Sequence, residues 1–108
     1  MFRSAEVIDA EAAPAVADIL GTVAELRLAE ARAREARQAR GAEIFSADPR
    51  SAYCRAGRAE GYVAELRGLI ASRARSGDLD AEHLAALAGA VLDGRMRLPE
   101  GVEPMEAA

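Results

Sequence analysis

The chain has 108 residues and a formal net charge of −4, and although 51% of its positions are hydrophobic it holds no Trp, two Phe and two Tyr. Twenty-seven of those positions are alanine and 27 are larger apolar residues, so a quarter of the sequence can fill a core, enough for one domain. Few aromatic and β-branched residues argue against a sandwich or barrel, while alanine, which loses no side-chain entropy on ordering, argues for an all-α fold.

In chain order, Ser4 reads as the N-cap of a first short helical turn, and Pro14 stands where a new helix begins, because its fixed φ suits the first helical position. From there Val16, Ile19, Leu20, Val23 and Leu26 recur at three and four residues, an apolar helical stripe. Beyond Leu28 the large residues stop, and Ala29 to Arg40 alternate alanine with charge. Ala, Glu and Arg all favour helix, and Glu30 with Arg34 has the favourable i, i+4 order. The first long helix is therefore extended to about Gly41, read as its C′ glycine.

Residues 41–48 read as a connection with Ile44 and Phe45 tucked under the hairpin. Asp48-Pro49 supplies an N-cap followed by proline, and the second long helix is predicted from there to about Arg75, ending at Ser76-Gly77. The third helix has Asp80 as N-cap, Leu79 and Leu84 placed for a hydrophobic staple, and Gly94 after its last apolar pair, Val91 and Leu92. The short connections predict an antiparallel hairpin of two long helices with a shorter third helix, residues 1–99 as one helical domain, and an oligomeric bundle as an extension of it. Residues 100–108, rich in Gly, Pro and acids, are expected to be a mobile tail.

The second helix carries two unlike faces. At 100° per residue, Gly57, Gly61, Ala64 and Gly68 share one side, while Tyr62, Leu66, Leu69 and Ile70 gather near the opposite side. Three interior glycines together cost a helix roughly 2–3 kcal/mol relative to alanine, a sizeable share of a small domain's stability. A close helix neighbour would offset that. The small-residue stretch Ala29–Ala39, represented by Ala29, Ala33 and Ala36, is the partner the spacing suggests, within one chain or between two copies.

All fourteen cationic residues are Arg, consistent with a GC-rich bacterial or phage gene. They concentrate in residues 27–75, where eleven Arg meet six acids, whereas residues 1–26 and 76–108 are net acidic. Arg32, Arg34, Arg37, Arg40, Arg55 and Arg58 are candidate phosphate contacts, each able to release counterions from a polyanion. Interleaved Glu30 and Glu35, and the lack of aromatic residues among the arginines, favour instead a solvated, salt-bridged face.

Most catalytic chemistry lacks its residues. With one His and one Cys, expected on different helices, neither a triad nor a zinc site is available. His83 falls at the third position of the third helix and reads as a solvated or capping residue rather than a catalytic base. Cys54 reads as a small packing residue. Asp78, Asp80 and Glu82 resemble the opening of a calcium loop without its central glycine and distal glutamate, and no Gly-rich phosphate loop is present. The N-terminal residues lack the basic start and apolar run of a secretory leader, and charges interrupt every apolar stretch short of a membrane span. The sequence therefore reads as a cytoplasmic, non-catalytic interaction or assembly protein with no cofactor, metal or small-molecule substrate. Its partner is another protein or a second copy, with Arg-mediated nucleic-acid binding as the alternative.

Overall fold

The computed structural model describes residues 5–41 and 51–104, except for the side chains at 40, 41, 52 and 53. The fold is all-α. Helices α1 (Ala13–Gly41), α2 (Ala52–Ser76) and α3 (Ala81–Leu92) are accompanied by two-residue strands β1 (Glu6–Val7) and β2 (Met96–Arg97). The long helices form an antiparallel hairpin: Glu30 meets Arg67 and Arg37 meets Glu60, so partner numbers fall on α2 as they rise on α1. Two compact units are formed, one from residues 1–24 with 69–108 and the other from 25–68.

In the first unit, the opening stripe of α1 is buried as its period requires, with Val16, Ile19, Leu20 and Val23 all under a tenth exposed. Ile70 and Ala74 of α2, and Leu84, Ala88 and Ala90 of α3, complete this core. Arg73 Nε donates to Asp18 Oδ2 at 2.9 Å, a half-buried, charge-assisted link from α2 to α1.

Residues 6–7 are extended rather than the helical turn expected after Ser4, which itself lies outside the described residues. β1 pairs in parallel with β2, Glu6 opposite Met96 and Val7 opposite Arg97, and the Ile8 amide donates to the Arg97 carbonyl at 2.9 Å. The partner strand is remote in sequence, so no local signal announces it; Ile8, nearly sealed from water, anchors the bridge. Asp9 then turns the chain into α1: its carboxylate accepts from the Glu11 amide and its carbonyl from the Ala12 and Ala13 amides. The helix accordingly starts one residue before Pro14.

The start expected at Asp48-Pro49 lies outside the described residues, as do Ile44 and Phe45. Within them, Ser51 caps α2, its hydroxyl accepting from the Cys54 amide at 3.2 Å. Asp80 caps α3 as the sequence indicates, accepting from the His83 amide at 3.0 Å. Both α2 and α3 end in Schellman motifs. After α3, Arg95 N–H reaches the Ala90 carbonyl and Gly94 the Val91 carbonyl, with Gly94 at φ 76°. After α2, Leu79 N–H reaches the Ala74 carbonyl and Asp78 the Arg75 carbonyl, which puts Asp78, not the neighbouring glycine, in the left-handed conformation at φ 55°. Residues 99–102, at the start of the tail, make a turn closed by Val102 N–H on the Pro99 carbonyl.

Left-handed backbone is disfavoured for L-residues by about 1–2 kcal/mol, least for Asp and Asn and most for β-branched side chains. Asp78→Val should therefore lower stability by about 1–2 kcal/mol, a fall in Tm of roughly 4–8 °C per kcal/mol, whereas Asp78→Gly should match or exceed the parent. Equal melting temperatures for the two variants in a thermal scan would contradict the assignment.

Candidate interaction surface

In the second unit α1 presents small residues and α2 larger ones. Ala29 and Ala33 are buried against Val63 and Leu66, with Leu26 and Ala59 packed on the cluster. Alanine lets the helix backbones approach closely, and the branched residues of α2 fill the space that remains. Polar pairs close both margins of this thin core. Arg67 Nη2 donates to Glu30 Oε2 at 2.9 Å, and Arg37 lies 3.8 Å from Glu60, on one side. Tyr62 donates its hydroxyl to Glu25 Oε1 at 3.1 Å on the other.

This arrangement corrects two expectations. Ala29 and Ala33 do not face the glycine stripe of their own chain, which is turned to solvent: a Cβ built on Gly57, Gly61 or Gly68 meets no atom within 4 Å, and Ala64 is exposed. A glycine face has no side chain to remove from water, so the side of α2 bearing Val63 and Leu66 takes α1 instead. The large apolar face is also displaced from the expected one. Val63, Leu66 and Ile70 are buried, but Tyr62 is 40% exposed and Leu69 55% exposed, because these two lie at the edge of the buried arc around the helix.

The arginines divide between two surface concavities, one on each side of the helix pair. Arg34, Arg37 and Arg67 line a concavity of about 170 Å³ together with Glu30 and Glu60. Arg32 and Arg55 line another of about 350 Å³ with Glu35, its floor made by Ala36, Ala39 and Ala59. Arg58 is exposed, and the Arg40 side chain lies outside the described residues. Both of these concavities thus also hold carboxylates.

Among the described residues no polar or charged side chain is buried, and no group of three or more His, Cys, Asp or Glu is placed to hold a metal ion. His83 is exposed and Cys54 half-buried with a free thiol. No helix among these residues is long and apolar enough to cross a membrane. Comparison with protein-family models, with curated proteins and with solved structures finds no match to this chain.

Two features escaped the sequence reading. Leu28, 54% exposed, sits on the outer side of α1, and Tyr62 reaches across to Glu25. Position 28 comes two residues after Leu26, off the stripe of Val16, Ile19, Val23 and Leu26 by the helical period itself, and the placement of α2 leaves it in water. The Tyr62 phenol is held above its ordinary value of 10.0, first by partial removal from water, then by donating to Glu25 and by the charges of Glu25 and Glu65, against the opposing pull of Arg32.

A raised phenol pKa favours the neutral, hydrogen-bonded form in the folded chain. Its contribution to stability is therefore present below the unfolded value and is lost as pH rises through the folded one. Alkaline absorbance titration, with Tyr62→Phe subtracted to remove Tyr53, should place this phenol above 10.0, and Glu25→Gln should bring it down. No change with Glu25→Gln would remove Glu25 as a cause.

Proposed function

We propose that the chain is a non-catalytic, cytoplasmic interaction or assembly protein that binds a partner through the glycine face of α2, as a small adaptor, regulator or structural component of a larger complex. The observation that supports this is the open face itself. Gly57, Gly61 and Gly68 lie within a 25-residue helix, yet among the described residues no atom beyond the helix's own backbone approaches where their Cβ would stand. Folding of the chain makes no use of the missing side chains, while each glycine weakens the helix by about 0.5–1 kcal/mol. A close-packed helix of a binding partner gains from bare backbone, since small residues let two helix axes approach.

Division of the arginines between two sides, with Glu30, Glu35 and Glu60 interspersed, counts against a continuous phosphate track.

Gly61→Ala adds a methyl group into open space and should stabilise the isolated chain by about 0.5–1 kcal/mol. Gly61→Leu should leave helicity unchanged but abolish recovery of the partner from the native host, detected by mass measurement of the complex. Undiminished recovery with Gly61→Leu would sink the glycine face as the contact. Salt-dependent binding to duplex DNA, lost on Arg34→Glu with Arg37→Glu, would favour the nucleic-acid alternative instead.

A further inference from the structure

A different face of the second unit carries its own signature. On the outer side of α1, Leu28 is 54% exposed and stands between Glu25, three residues before it, and Arg32, four residues after it. These three positions fall within about 60° of one another around the helix. Tyr62, 40% exposed, joins them from α2 through its hydrogen bond to Glu25, and the alanine-floored concavity walled by Arg32, Glu35 and Arg55 continues along the same side. An apolar centre is therefore flanked by Glu25 toward one end and by Arg32 toward the other, with Glu35 a further turn beyond.

We propose that this face binds a second copy of the chain, α1 against α1 antiparallel about a two-fold axis beside Leu28. The charge order selects this occupant. Reversing one helix against its copy brings Glu25 of each chain opposite Arg32 of the other, and both Leu28 side chains meet at the axis. Such self-complementarity is what a two-fold interface requires. A parallel pairing in register would instead set Glu25 against Glu25 and Arg32 against Arg32. Leu28 and the ring of Tyr62 leave water on pairing, and two hairpins joined in this way form a four-helix arrangement. This inference goes beyond the proposed partner on the glycine face, which lies on another side of α2, and the two stand or fall separately.

Sedimentation equilibrium over a wide concentration range tests it. The parent chain should show a reversible monomer–dimer equilibrium, and Leu28→Glu should weaken it with helicity preserved. Glu25→Arg and Arg32→Glu, each alone, place like charges in opposition and should each raise the dimer Kd by about tenfold or more, whereas their equimolar mixture should recover dimerisation as a heterodimer. A parent chain that stays monomeric throughout overturns the proposal. So does a dimer indifferent to Leu28→Glu, or charge variants that show no recovery on mixing. Each of these outcomes leaves the Gly61→Leu test of the glycine face unaffected.

Discussion

The packing of alanine on α1 against branched residues on α2 is the constraint that organises the second unit. With Ala29 and Ala33 buried against Val63 and Leu66, the helices share a seam one side chain deep. A narrow seam leaves the remaining arc of each helix in water, which is why Tyr62 emerges at one margin and the glycines are bare on the far side of α2. Large residues on both helices would have held the axes further apart and covered more of both. The margins are held by polar pairs at Glu30–Arg67, Arg37–Glu60 and Glu25–Tyr62. Exposed pairs of this kind contribute about 0.2–1 kcal/mol each, so they fix register more than they add stability. The first unit differs in having Ile8, Val16 and Leu84 fully buried, a core drawn from three helices and the residue that follows β1.

Interleaved acids govern the electrostatics in the same way. Eleven arginines between residues 27 and 75 look like a basic tract along the chain, but those on the described helices are spread around α1 and α2 by the helical period, and a carboxylate accompanies them in both concavities. The field at the surface is therefore mixed in sign. A mixed field of this kind confers orientation and selectivity on contacts with another protein surface, where alternating signs are matched residue by residue.

The helices were legible because their signals are local. Asp80, Gly94 and the three- and four-residue recurrence from Val16 to Val23 depend on neighbours within a turn or two, and the structure places each as the spacing implies. The all-α class followed from composition for the same reason. What the sequence could not supply was the angular position of one helix against another. Val63 and Tyr62 are both apolar and adjacent in sequence, and only the placement of α1 decides that the first is buried and the second exposed. Asp78 at φ 55° was hidden by the glycine beside it, since either residue tolerates the left-handed conformation. The glycine and arginine positions could be grouped by face from the helical period, whereas their surroundings required the fold.

The parallel bridge between β1 and β2 joins parts of the chain that are far apart: Arg97 Nε donates to the carbonyl of Ala5, 92 residues away. Closing so long a loop carries a large entropic penalty, and two residue pairs return little for it in isolation. The bridge therefore depends on the helices of the first unit to bring its two ends together, and it opens when they loosen. Exchange of the Ile8 amide with solvent deuterium consequently reports the integrity of the whole first unit from a single backbone hydrogen.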